Sequence, residues 1–395
     1  MTFRLTNLYL TCFAFSLALY IHLRDVVPAG LSEILYLFVL LVPSYKILYK
    51  NETVVYVYVV FFMLVLVLLT TILNGFSDGV YYEVALSFYT LTLLLVVGYK
   101  YTGHEDQYFV YKVLSLFVIF SGILAVLYIT AFLLFYAGFH NDDVTQFLYV
   151  RNGFARLQGL LANPNYFSLS MLLVVYIGLL IKRKVLAVKI SILFVLLAVV
   201  FSMSRGAILA LSVLLFFHFL YLFMSNRKLV FMYVSGFVIL GLVGISVVAN
   251  DSYFGHFNEA VDRRLNDTGG GVSSRLEAVS TTMEAASDTV MSMLFGVGLD
   301  KAKAFSADGL APHNTFVRIL GELGAFSLIT YLFLFLLIAS NFPKHIERIP
   351  YFGTLMSLLL ACATNDYFLV REFWLLLAVL IVITSRNSSH RTHFI

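Results

Sequence analysis

Long apolar runs separated by short basic or polar clusters set the pattern of this chain. No charged residue falls between Thr53 and Leu73, and the same is true from Val113 to Phe139, Leu157 to Ile181, Gly206 to Asn226 and Leu229 to Asn250. About 20 consecutive apolar residues are enough to cross the hydrocarbon core as a helix. The pattern predicts twelve spans, at about 5–23, 30–49, 53–73, 83–99, 110–136, 166–181, 185–202, 206–224, 229–249, 315–340, 351–368 and 371–385. The first run, Leu5 to Leu23, has no small-residue cleavage site ahead of Arg24 and Asp25. It is expected to stay as a span instead of being removed as a signal peptide.

The connections predict an orientation. Arg4, Lys46, Lys50, Lys100, Lys112, the Lys182-Arg183-Lys184 run with Lys189, Arg227-Lys228, Lys344, Arg348, Arg386 and Arg391 all fall on one side of a twelve-span layout. Nine of the eleven lysines lie there, so the positive-inside rule makes that side, and both termini, cytoplasmic. The chain then divides into five helices over 1–136, an outer loop over 137–165, four helices over 166–249, a large outer loop over 250–314, and three helices with a cytoplasmic tail over 315–395.

The large loop is the main polar part of the molecule, and long loops of this kind are usually functional. It carries the triple glycine Gly269-Gly270-Gly271, a hinge or a disordered tip, and then a helix signal. Ser274 and Glu277 fit a capping box. Leu276, Val279, Met283, Ala286, Val290 and Met293 follow at helical spacing, opposite Ser280, Thr281, Glu284, Ser287 and Asp288. Such a helix would lie on the outer membrane surface or cap the bundle.

Composition excludes a soluble fold. Hydrophobic residues are 61% and charged residues 12%, against about 25% charged in soluble domains. No barrel-like alternation occurs, and lipid-exposed backbone must satisfy itself, so the expected class is an all-α polytopic membrane protein with one partly helical outer loop. The net charge of +4 comes without a basic stripe interleaved with stacking aromatics, so nucleic acid is not an expected partner. Cys12 and Cys362 lie in apolar runs and read as buried thiols.

Three outer-side residues suggest chemistry. Arg205 lies in Met203-Ser204-Arg205-Gly206, between two apolar runs that leave no room for a loop. A charge at the outer interface is a functional candidate, with snorkelling to the headgroups as the alternative. The capping box puts Arg275 at the first position of the outer helix, where a cation is disfavoured unless an anion binds beside it. His313, in Ala311-Pro312-His313-Asn314-Thr315, is where the loop re-enters the membrane, and imidazole suits proton transfer at neutral pH. Two arginines could neutralise a pyrophosphate without a metal, and no paired carboxylate stands out on that side, so neither a metal nor a cofactor is implied.

These strings resemble the O-antigen ligase and O-antigen polymerase superfamily. The resemblance rests on Ser204-Arg205-Gly206, Ser274-Arg275-Leu276, Leu294-Phe295-Gly296-Val297-Gly298 and Pro312-His313-Asn314 with Gly324 after nine intervening residues. Upstream, Arg156-x-x-Gly159 and Asn163-Pro164-Asn165 resemble the family's segment before a mid-chain span. The resemblance covers about Arg151 to Ser327. It implies an inverting, metal-independent glycosyl transfer at the periplasmic face of the bacterial inner membrane, with a glycan on undecaprenyl pyrophosphate as donor. By position, Arg205 and Arg275 would hold the pyrophosphate and His313 would orient or deprotonate the acceptor hydroxyl. Asn314, Asn163 and Arg156 would contact substrate. A chain-length regulator protein and the bilayer would be partners.

Polymerase and ligase share this donor and differ in acceptor. The ligase pattern continues from the histidine to Gly, Thr or Tyr where this chain has Ser327, which favours a polymerase, as do the compact outer loop and the Phe/Tyr-rich composition. A transporter of lipid-linked or anionic glycans, the non-enzyme alternative, would need ionisable groups along a mid-membrane path. The spans read instead as nearly charge-free.

Overall fold

A computed structural model of the protein describes residues 104–151, 154–161, 163–181, 185–225, 271–299, 301–305 and 312–367, with helical positions between 59 and 74 and between 373 and 380. In chain order the elements are α1 (His104–Tyr136), α2 (Asp142–Thr145), β1 (Leu148–Arg151), β2 (Phe154–Leu157), α3 (Pro164–Leu180), α4 (Leu186–Phe201) and α5 (Arg205–Ser225). Then come α6 (Gly271–Ser287), α7 (Val290–Phe295), α8 (Ala302–Phe305), α9 (Thr315–Ser340), a 3₁₀ turn (His345–Glu347) and α10 (Arg348–Thr364). Four described segments are long and apolar enough to cross a membrane: Tyr111–Tyr136, Arg205–Ser225, Thr315–Ser340 and His345–Thr364. The expected spans at 5–23, 30–49, 83–99 and 229–249 lie outside the described residues, as does the triple glycine up to Gly270.

The all-α expectation needs a correction. Leu148–Arg151 and Phe154–Leu157 pair antiparallel, Leu148 opposite Leu157 and Tyr149 opposite Arg156, inside the stretch read as a plain loop. The sequence held the signal: Asn152-Gly153, between two runs of strand-forming residues, is the dipeptide preferred in two-residue hairpin turns. Leu148, Ala155 and Leu157 are buried while Tyr149 and Val150 are exposed.

The chain divides into two compact units. In the first (described parts of Tyr111–Thr268 with Lys344–Ser357), α3 is the central element. Fourteen of its seventeen residues are buried, as expected of a helix that is apolar all round. Gly178 lets Ile192 of α4 approach, and a Cβ at Gly122 of α1 would sit 2.4 Å from the Ser191 Cβ. Inside the core the Tyr176 and Ser357 hydroxyls lie 2.7 Å apart, and Ser357 donates to the Ala210 carbonyl. Each side-chain hydroxyl thereby finds a partner away from water.

In the second unit (described parts of Tyr36–Val110, Gly269–Pro343 and Leu358–Ile395), α6, α7 and α9 pack together. The Tyr331 ring stacks on Phe373 at 5.7 Å and meets Phe335 edge-on at 5.0 Å. Two expectations for the outer helix fail here. It starts at Gly271, not after a Ser274 cap, so Arg275 is its fifth residue, not its first. It also stops at Ser287, and a new helix begins at Val290 behind a capping box formed by Thr289 and Ser292.

Candidate functional site

In the first unit the β-hairpin, the start of α3 and the α4–α5 turn converge on Arg156. Its Nε donates to the Ser202 carbonyl at 2.9 Å and its Nη2 to Asn165 Oδ1 at 3.3 Å. The Asn163 side chain caps α3 by accepting from the Asn165 N–H at 2.8 Å, with Pro164 at the first helical position. Both choices suit a helix start, since the proline has no N–H to leave unpaired. Three residues, Ser202 to Ser204, separate α4 from α5. Met203 takes a left-handed φ of 51° to make that reversal, a conformation that costs a residue with a Cβ and needs support from its surroundings. The Arg156 bond to Ser202 is part of that support. Arg205 then opens α5 and is exposed. Arg205, Arg156 and Asn163 thus belong to one neighbourhood, with Arg156 and Asn163 shaping the backbone that presents Arg205.

The second unit carries the histidine. Pro312 is buried, and His313 and Asn314 are half-buried just ahead of α9. Asn314 is the N-cap, its Oδ1 accepting from Phe316 N at 2.9 Å and Val317 N at 3.1 Å. The next residue is clamped from elsewhere in the chain. Thr315 donates to the Asn365 carbonyl through both its N–H, at 3.2 Å, and its hydroxyl, at 3.0 Å. The same hydroxyl accepts from Tyr367 N at 2.9 Å.

One turn further, Arg318 is buried between two carboxylates. Its Nε donates to Glu322 Oε1 at 3.0 Å, and its Nη1 meets Asp366 Oδ2. The Arg318 and Glu322 side chains are 5% and 1% exposed. This cluster departs from the reading of nearly charge-free spans. Arg318 and Glu322, four apart, were legible as a pair facing one side of a helix; Asp366 was not. Buried charges of this kind persist when paired and hydrogen-bonded.

The glycine motif has a structural explanation. Gly324 breaks the helical geometry of α9 with φ 79° and ψ 178°. The segment Leu294–Gly298 lies against that break, with Val297 N donating to the Gly321 carbonyl at 2.8 Å and Gly298 N to the Glu322 carbonyl at 3.1 Å. A Cβ on Gly296 would sit 2.3 Å from Glu322 backbone, and one on Gly324 would sit 2.3 Å from the Leu294 carbonyl oxygen. Two backbones touch here, and glycine is the residue that permits it. On its other side the segment is tied by Thr70, whose hydroxyl donates to the Phe295 carbonyl at 3.0 Å, and by Asn74, which donates to the Gly296 carbonyl at 3.3 Å. The backbone of Arg275 lies on α6 in this unit. Among the described residues no three His, Cys, Asp or Glu side chains gather as metal ligands.

With this geometry in view, residues 190–332 match the family model described as O-Antigen ligase (Wzy_C). The match covers 143 of the 395 residues and, over that stretch, makes the chain similar to the O-antigen ligase and polymerase superfamily. The matched stretch contains Arg205, Arg275, the glycine segment, His313, Asn314, Arg318, Glu322 and Gly324, while Arg156, Asn163 and Asp366 fall outside it. Members of this family are glycosyltransferase-like membrane enzymes, and the four apolar helices agree with a membrane setting. No curated protein matches the chain.

Proposed function

We propose that the protein is a surface-polysaccharide (O-antigen) polymerase of the bacterial inner membrane. It would transfer a glycan from undecaprenyl pyrophosphate to a lipid-linked repeat unit at the periplasmic face. The observation that carries the glycosyl-transfer reading is the family match over residues 190–332, which contains Arg205, Arg275 and His313 in the motifs read from the sequence, while Ser327 is what favours the polymerase over the ligase. In the reaction, an acceptor hydroxyl oxygen forms a bond to the anomeric carbon while the bond from that carbon to the pyrophosphate oxygen breaks, with inversion. His313 takes the hydroxyl proton. Arg205 and Arg275 hold the pyrophosphate and stabilise the charge that develops on it. Pyrophosphate is already a good leaving group, so positioning and charge neutralisation supply much of the catalysis.

The local structure supports these roles. Arg205 is exposed at a helix start on a turn braced by Arg156. His313 precedes a helix whose first residues are held by Asn314, Asn365 and Tyr367. A base must keep its aim, and fixed neighbours provide that. Asn163 and Asn314, beyond capping their helices, are proposed to border the substrate, and a chain-length regulator is a proposed partner.

A second reading is the ligase, favoured by the name of the matching family. The lipopolysaccharide ladder of a deletion strain carrying the wild-type or H313A gene separates the two. Core plus one repeat unit, with the ladder lost, means polymerase. Bare core, with long chains left on the lipid carrier, means ligase. An unaltered ladder removes the protein from this pathway and leaves a glycan transporter to be tested by flux.

A further inference from the structure

In α9 no residue from Thr315 to Ala325 is exposed, whereas Phe326, Ile329, Leu332, Phe333 and Leu336 form an exposed apolar stripe along the rest of the helix. The stripe has helical spacing and belongs to a segment able to cross a membrane, so it is the lipid-facing side. Above it, α7 and the glycine segment cover the first turns of α9. The surface does not become polar at that boundary. The Phe295 ring, at the end of α7, meets Phe326 at 5.6 Å. The outward side of α7 presents Val290, Met291 and Met293, exposed by 69%, 55% and 48%, and the helix carries no charge.

Helix length sets the depth. Polar residues Ser340 and Asn341, followed by Lys344, mark one end of α9. A hydrocarbon core of about 30 Å takes about 20 residues at 1.5 Å each. The regular helix beyond the Gly324 break, residues 325–340, supplies about 24 Å of that, so the far edge of the core falls at or just past the break, where α7 and its glycine segment are seated on α9. The exposed side chains of α7 therefore stand level with the edge of the hydrocarbon.

We propose that α7 is immersed in the lipid leaflet at the N-terminal end of α9, with Val290, Met291 and Met293 seated at the boundary between headgroups and acyl chains. A short charge-free helix presenting methionine and valine is suited to that boundary, where burial of apolar area supplies the binding. The inference does not rest on the glycosyl-transfer reading. It places the segment that packs on the helix following His313 in contact with lipid.

The test uses the full chain in nanodiscs of phosphatidylcholine and phosphatidylglycerol. A C12A/C362A background receives M291C, or M293C in a second sample in case the first disturbs packing, and each is labelled with an environment-sensitive fluorophore. E284C, on the exposed polar side of α6, serves as the reference. Immersion predicts blue-shifted emission at both methionine sites and quenching several-fold stronger by a nitroxide near the top of the lipid acyl chain than by aqueous iodide, with the order reversed at E284C. Water-like emission quenched mainly by iodide would overturn the proposal. So would blue-shifted emission that neither quencher reaches, which would mean that a second copy or another protein covers α7.

Discussion

Thr315 and Asn365, fifty residues apart in sequence, are joined by two hydrogen bonds to one carbonyl oxygen, from the threonine N–H at 3.2 Å and its hydroxyl at 3.0 Å. A helix start normally leaves N–H groups unpaired. Here Asn314 takes two of them and the Asn365 carbonyl a third. The consequence is a fixed backbone directly after His313, where a proposed base needs a constant direction.

His313→Ala should lower glycan transfer by about 10²–10⁴-fold, the usual contribution of a positioned acid or base. Membrane insertion and yield should be unchanged, because the side chain is only half-buried. Transfer measured with purified lipid-linked substrate, alongside size-exclusion elution of the variant, checks both halves. Normal transfer would remove His313 from the mechanism.

For Arg205, replacement by Ala should cost on the order of 10²–10³-fold in turnover, as for loss of a donor to developing charge. Lys should restore only part of it, since a point charge does not reproduce the two-pronged grip of a guanidinium on phosphate oxygens. Full activity in R205K would indicate that the residue simply reaches to the headgroups.

The Arg318 cluster can be tested by stability. Arg318→Ala leaves the buried Glu322 and the partly buried Asp366 without their cation and should destabilise the second unit by about 3–5 kcal/mol. Replacing all three with neutral residues should recover a large part of that loss, because no uncompensated charge remains. Thermal unfolding in nanodiscs reads both variants. Equal stability of R318A and the wild type would mean that water reaches the cluster.

Gly324 and Gly138 form a matched pair, with positive φ of 79° and 97°. Nothing lies within 4 Å of a Cβ at Gly138, whereas one at Gly324 meets the Leu294 carbonyl oxygen at 2.3 Å. Gly138→Ala should therefore cost only the conformational term, about 1–2 kcal/mol. Gly324→Ala should cost clearly more and loosen the glycine segment, seen as faster proteolysis between α6 and α9. Similar losses in both would show that the two backbones do not touch there.

Much of the helical layout was legible from hydrophobic runs alone. The expected span at 315–340 coincides with α9, and those at 185–202 and 206–224 agree with α4 and α5 to within a residue at each end. The three-residue turn before Arg205 followed from the lack of polar residues to build a loop. The hairpin, by contrast, was present in the sequence as Asn152-Gly153 but was passed over, because four-residue strands are too short to stand out against long apolar runs.

Sequence by itself determined where the apolar stretches lie and which short motifs carry arginine, histidine and glycine, because hydrophobic length and local spacing are properties of neighbouring residues. Tertiary structure decided which faces those elements use. Helix α6 buries Ala278, Thr282 and Ala286 and leaves Leu276 and Met283 exposed, since small side chains let it approach α9 where a Cβ at Gly321 would meet Thr282 at 2.3 Å. It also decided that Arg318 finds Asp366 and that Gly296 finds Glu322. These pairings close long stretches of chain, and their free energy comes from packing and charge burial in three dimensions, which periodicity along one helix does not encode.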